Sequence, residues 1–286
     1  MAYDCWWISC ATGNNLTLSE DQPCYPSMAG ASLRLAAAIL LRRRLSFREF
    51  SRKQITDLFP ELLLCGDENI PSMGPCLITV NHFAAAGFRA WWIAMAISAM
   101  TPLEIHWIMA AAWTTPKAWK AFWWTPLTGW AFRQVARTFG FTNMPPMPPA
   151  PGQEAQRAQA VRGILRYVRD ALDKGARAEL AIGLAPEGSD MPEGVISLPP
   201  EGTGRFVQLL VEQGLEIAPV AIYLEHGQLC LHFGRRYRPD IPTGLDRRAT
   251  DLYLRRLVMQ EIANLAPPAI RGEFINPGLQ DVRLAV

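Results

Sequence analysis

Two short polar clusters follow two apolar runs, and both could do acid–base chemistry. Cys76-Leu77-Ile78-Thr79-Val80 opens directly into Asn81-His82, and about a hundred residues later Leu180–Leu184 opens into Ala185-Pro186-Glu187-Gly188-Ser189. A five-residue apolar run that ends in a polar pair reads as a buried strand delivering its polar residues at the carboxyl edge of a sheet, where open α/β folds gather reactive groups. An imidazole, whose ordinary pKa is near 6.5, can take a proton from a hydroxyl at neutral pH, which makes His82 the candidate general base. The other histidines read differently: His106 lies within a strand pattern as a satisfied core residue, and His226 and His232 read as structural or exposed. Ser189 is no hydrolase nucleophile by pattern, because Glu187 and Met191 occupy the outer positions of a G-x-S-x-G elbow. No histidines and acids share metal-ligand spacing, so no metal is expected; no cofactor is expected either.

The elements that must position these groups follow from periodicity. Helices are expected over 31–44, from Ser46 to before Pro60, over Ala84–Met100, Gln153–Lys174 and Arg205–Gln213, and from about Leu245 to Leu265. Ser46 with Glu49 forms a capping-box pattern. Gln153–Lys174 carries Val161, Ile164, Leu165, Val168 and Leu172 at helical spacing. Strands are expected at Leu62–Cys65, Cys76–Val80, Glu104–Met109, Leu180–Leu184, Ile217–Tyr223 and Leu229–Phe233, with 111–150 irregular. Strands alternating with helices predict an α/β fold, a single domain with a mostly parallel mixed sheet flanked by helices and preceded by N-terminal helices. The expected division is an irregular tail over 1–28, a helical segment over 29–60, the main domain over 61–272 and a tail over 273–286.

In that order, Gly66-Asp67-Glu68-Asn69-Ile70-Pro71, Gly74-Pro75, the strand and Asn81-His82 resemble the entry to the N-H-x-x-x-x-D block of the glycerolipid acyltransferases, the lysophosphatidic-acid and glycerol-3-phosphate type. Ala185-Pro186-Glu187-Gly188-Ser189 is similar to the family's F-P-E-G-T block, and Leu215-Glu216-Ile217-Ala218-Pro219-Val220-Ala221 to its final strand. The resemblance runs from about Gly66 to Ala221. It implies that a fatty acyl group moves from a thioester, acyl-CoA or acyl-carrier protein, to a hydroxyl of a lipid or other hydrophobic alcohol. It also implies a place in lipid metabolism and phospholipid biosynthesis. His82 would be the base. Asn81, Pro186, Glu187, Gly188 and Ser189 would support the site or bind substrate.

The chain departs from the pattern at two places. Gly87 stands where the family has its aspartate, the group that orients the imidazole and stabilises its charged form. Glu187 is the first candidate to replace it, ahead of Asp67 and Glu68. Asp190 stands after Ser189 where the family carries an arginine for the acceptor's phosphate. Arg89 and Arg137, with Arg133, are left as candidates to hold an anion, although the plainer reading of each is a surface or ion-pairing arginine. The alternative to an enzyme is a protein that kept the acyltransferase fold, lost the chemistry and binds lipid or acyl chains.

Composition bounds the setting. Half of the 286 residues are hydrophobic and 19% are charged, with a net charge of +2, which does not argue for a nucleic-acid partner. The six cysteines lack any C-x-x-C pair, consistent with reduced thiols. No apolar stretch reaches the roughly 20 residues of a spanning helix, and residues 1–13 lack a basic n-region. The stretch ending in Arg42-Arg43-Arg44 fits either a lipid interface or core packing with cations at a helix C-terminus. The eight tryptophans between Trp91 and Trp130 likewise fit an interfacial rim or a core. Together these give the expected location: cytoplasmic, peripheral at the inner face of a membrane.

Overall fold

The computed structural model describes residues 23–85, 88–112, 118–145, 152–188 and 194–275, with the main chain only for 118–124. Seven strands form one sheet: β1 (Leu63–Cys65), β2 (Cys76–Val80), β3 (Ile105–Ala110), β4 (Thr142–Met144), β5 (Ala181–Leu184), β6 (Glu216–Glu225) and β7 (Gln228–Phe233). Their order is β1-β7-β6-β2-β5-β3-β4. From β6 to β4 all neighbours are parallel; β7 returns antiparallel to β6, and β1 runs parallel to β7. This is the expected α/β domain with a mostly parallel mixed sheet.

Burial explains the order. All five residues of β2 are buried, as are all four of β5, so these strands read as continuous apolar runs rather than alternating ones. Helices α3 (Trp91–Met100), α5 (Glu154–Asp173), α6 (Thr203–Glu212) and α7 (Arg247–Leu265) supply the cover. Ile164 and Val168 of α5, Leu210 of α6 and Met259 and Ile262 of α7 are essentially inaccessible and join one core with the sheet. Asp251 of α7 caps α6, its carboxylate accepting the N–H groups of Gly202 at 3.0 Å and Arg205 at 2.8 Å while pairing with Arg255 at 3.0 Å. Gly202, at φ +88°, makes the turn into that helix.

The N-terminal segment belongs to the same core. Ala31 of α1 (Ala29–Leu40) and Phe47, Phe50 and Ile55 of α2 (Phe47–Ile55) are buried in it. Ser46 caps α2 by accepting the Glu49 N–H at 3.1 Å, as the capping pattern requires.

Two expectations are corrected. The described part of residues 111–150 is not irregular: it contains α4 (Ala118–Phe139), of 22 residues, and the edge strand β4. Pro126 and Gly129 masked a helical spacing at Phe132, Val135, Ala136 and Phe139, whose last ring packs edge-on against Phe47 at 5.0 Å. The tryptophans correspondingly divide. Trp92 and Trp107 are core, and the Trp107 indole donates to Ser98 Oγ at 2.9 Å. Trp91 and Trp130 are exposed, and Trp113 and the side chains of Trp119, Trp123 and Trp124 lie outside the described residues. The helix after His82 is also shorter than expected, beginning at Trp91 rather than Ala84, because residues 82–84 are held by contacts at the sheet edge.

Candidate active site

Asn81 and His82 leave β2 at its carboxyl edge, and the structure sets Glu187 of the β5 edge beside them. The register aligns Thr79 with Leu184 and Val80 with Val220, so β2 and β5 end within a residue of each other while β6 runs on to Glu225. Asn81 then continues the ladder with its side chain. Its Nδ2 donates to the Ile222 carbonyl at 2.9 Å and its Oδ1 accepts the Ile222 N–H at 2.8 Å. Only 1% of Asn81 is exposed, so both polar ends of the amide are paired away from water. An asparagine is suited to this because its amide reproduces the donor and acceptor of a peptide.

Glu187 lies in a turn closed by the Gly188 N–H donating to the Ala185 carbonyl at 3.2 Å, and Gly188 takes φ +72°. That left-handed conformation favours glycine at this position of the block. The Glu187 carboxylate is 4% exposed. Its Oε2 accepts the main-chain N–H of His82 at 2.5 Å, and its Oε1 accepts the N–H of Ser197 at 2.8 Å and the Ser197 hydroxyl at 3.2 Å. Burial raises the carboxyl pKa above its ordinary value, while the donors from His82 and Ser197 oppose that rise. The imidazole is close enough to favour the ionised form further.

His82 itself is half-buried and Phe83 is buried. Gly194, at φ +68°, lies under Phe83 so closely that a Cβ there would sit 2.7 Å from the ring. His82 is therefore held from three directions: Asn81 before it is tied to β6, Glu187 holds its main chain, and Phe83 after it is seated on Gly194. Chemically, the arrangement presents one proton acceptor at a sheet edge, with its backbone fixed by a buried acid.

The remaining candidates separate by position. Asp67 and Glu68 follow β1, three strands from β2, roughly 14 Å across the sheet at ~4.8 Å per strand, and are not brought to His82. Glu187 is the one of the three acids that the fold places there. Arg89 stands at the same edge, exposed, with its guanidinium 5.9 Å from the Trp91 ring centroid. Arg137 is elsewhere: it lies near the C-terminal end of α4 and lines a groove of about 500 Å³ with Arg44, Arg133, His106 and Tyr167. Gly87, Ser189 and Asp190 lie outside the described residues. Sequence reading missed Ser197 and Gly194, which carry no motif of their own; only the P-E-G turn hinted that something must answer a buried glutamate. His106 is the core residue expected, its Nε2 2.8 Å from Thr142 Oγ1 and its ring stacked at 4.2 Å on Tyr167. Among the described residues no cluster of histidine, cysteine and acid could hold a metal.

No family model matches the chain, and no curated protein matches it. A solved structure does. The chain is similar to the crystal structure of the 1-acyl-sn-glycerophosphate (LPA) acyltransferase PlsC from Thermotoga maritima, at 15% identity and a TM-score of 0.51. The likeness covers 82% of this chain and 91% of that one. At that identity the likeness is one of fold: this chain has the fold of a glycerolipid acyltransferase.

Proposed function

We propose that the protein is an acyltransferase that moves a fatty acyl group from a thioester to a hydroxyl of a lipid or other hydrophobic alcohol, with His82 as general base. The observation that carries this reading is Asn81-His82 at the carboxyl edge of β2, its main chain gripped by Glu187, in a fold shared with an LPA acyltransferase. His82 takes the hydroxyl proton as the oxygen attacks the thioester carbonyl. The tetrahedral intermediate then collapses, the C–S bond breaks, and the imidazolium returns the proton to the departing thiolate. The products are an ester and a free thiol. Asn81 and Glu187 are positioning residues in this scheme, and Arg89 is the cation available to an anionic acceptor at that edge.

The donor is acyl-CoA or acyl-carrier protein, and no cofactor is required. The reaction is placed at a membrane surface, on the cytoplasmic face. Supporting this, Leu33, Leu40 and Leu41 in and after α1 and Leu127 and Trp130 of α4 are exposed, Leu40 by 82%, beside Arg42, Arg43 and Arg44. Among the described residues no helix is long and apolar enough to cross a membrane.

The test is thiol release from acyl-CoA in the presence of a lipid-alcohol pool. His82→Ala is expected to lower turnover at least about a thousandfold, within the range of loss of a triad member, while leaving the fold intact. Unchanged turnover in that variant sinks the reading. A second reading, lipid or acyl-chain binding without catalysis, is favoured by Gly87 in place of the family's aspartate and by a Glu187 carboxylate already engaged with backbone donors. It expects acyl-chain binding with no thiol released by the wild-type protein.

A further inference from the structure

The donors that hold Glu187 come from two distant parts of the chain, and one of them is itself fixed by the last described segment. Oε2 takes the His82 N–H, while Oε1 takes both the N–H of Ser197, at 2.8 Å, and its hydroxyl, at 3.2 Å. A carboxylate held at both oxygens cannot shift at one without shifting at the other, so the place of Ser197 sets where the His82 main chain is gripped. The same stretch also touches the far side of His82. Gly194, three residues before Ser197, lies under the Phe83 ring. Residues 194–197 therefore reach His82 itself and the residue after it.

This stretch is anchored from the C-terminal end of the domain. Ile196, 1% exposed, donates its N–H to the Ile270 carbonyl at 2.8 Å. Its own carbonyl packs on Gly272, where an added Cβ would sit 2.3 Å from the oxygen. The Pro199 carbonyl accepts Arg255 Nη1 of α7 at 2.8 Å. Phe274 is buried, and its carbonyl accepts Gln260 Nε2 of α7 at 3.2 Å. Direct contacts thus run from α7 and residues 268–274, through Ile196 and Ser197, to Glu187 and His82.

A backbone N–H would serve Glu187 whatever residue stood at 197. The hydroxyl is what serine adds: a second donor to one oxygen of a buried carboxylate, favouring its ionised form, which accepts the His82 N–H most strongly. We propose that Ser197 is a positioning residue for His82, acting through Glu187, and that residues 268–274 hold it in place. The proposal rests on His82 being the base, but its first readout needs no turnover.

That readout is the backbone amide resonance of His82, followed against pH in the full chain. Among the described residues the charge acting on Glu187 is the His82 imidazole. The amide should therefore show a carboxyl step and a ring step, the latter identified by the His82 ring C–H resonances. In Ser197→Ala the carboxyl step is expected at higher pH, because a donor to the ionised form is gone, and Ser197→Thr should restore it. In the thiol-release assay, kcat per folded molecule should fall about ten- to a hundredfold in Ser197→Ala with KM little changed, the scale of a small misplacement of a reacting group, and recover in Ser197→Thr. Gly272→Ala sets a Cβ against Ile196 and should move the amide and lower kcat likewise. Phe274→Leu loosens the same segment without a clash and decides the point should Gly272→Ala not fold. A carboxyl step that stays in place in Ser197→Ala overturns the role of Ser197, whatever the rate does. A moved step with unchanged kcat, in an enzyme that His82→Ala disables, also overturns it. A His82 amide unmoved by Phe274→Leu removes residues 268–274 from the proposal. A wild type that releases no thiol ends the acyl-transfer reading, and the amide still decides whether Ser197 sets the main chain at His82.

Discussion

Glu187 is the residue on which the candidate site turns, because it is buried and binds main chain rather than solvent. Its two oxygens receive three donors, from His82 and Ser197. Glu187→Gln preserves the shape but replaces one oxygen by an NH2, which then faces an N–H donor. We expect a loss of about 1–3 kcal/mol in urea unfolding, the cost of one buried donor left unpaired. The pH dependence has a definite sign. Burial raises the folded carboxyl pKa above 4.5, so the folded state holds its proton more tightly than the unfolded chain does. The associated stability is present below that ordinary value and fades as pH rises through the folded pKa. The deficit of Glu187→Gln should therefore be largest at acid pH and shrink toward neutrality; a deficit that grows with pH would contradict the burial argument. If Glu187 positions the base, the same variant lowers kcat at saturating substrate with little change in KM, which a purely structural defect in the amount of folded protein would not do per active molecule.

Elements hold this geometry by where they end: β2 stops at Val80 while β6 runs on to Glu225, and the Asn81 amide bridges the difference. It extends the β2–β6 pairing by one step beyond Val80 without using main chain. Asn81→Ala leaves the Ile222 N–H and C=O without their partners in a buried setting. An expected loss of about 2–4 kcal/mol follows from two such groups, read as a lower urea midpoint at unchanged slope. A loss below about 0.5 kcal/mol would mean water replaces the amide. Most strands were legible in the sequence for one physical reason: β2 and β5 are apolar throughout and stop at a polar residue, so their ends, and with them His82 and Glu187, could be read directly. The helix α4 was not legible, because Pro126, Gly129 and a density of aromatics look like loop chemistry until Phe47 and Phe141 are present to pack against Phe139. Nor was the shortened α3, since its delay is imposed by Gly194 and Glu187, contacts over a hundred residues away in the chain. Arg137 shows the same limit in reverse: nothing in its type reveals that α4 carries it into a groove beside His106 and Tyr167.

At the scale of the whole molecule, the β3–β4 flank of the sheet carries its own acid sensitivity. His106 of β3 is buried, bonded to Thr142 of β4 and stacked on Tyr167 of α5, so it joins the edge strand and a covering helix to the sheet. Burial pushes its pKa down from 6.5 to about 4. Between those values the unfolded chain binds a proton that the folded one refuses, so stability falls as pH drops through that window. A displacement of this size is worth on the order of 3 kcal/mol, fully present above pH 6.5 and lost by about pH 4. In His106→Gln the amide can still reach Thr142 but does not titrate, so the wild type should be the more stable protein at neutral pH and lose that advantage in mild acid. Urea unfolding of both proteins at pH 7 and pH 4.5 measures this, with the other carboxylates and histidines cancelling in the difference. A gap that does not narrow at pH 4.5 would show that the imidazole accepts its proton without leaving the stack, and would place the acid weakness of the fold elsewhere than at the β3–β4 edge.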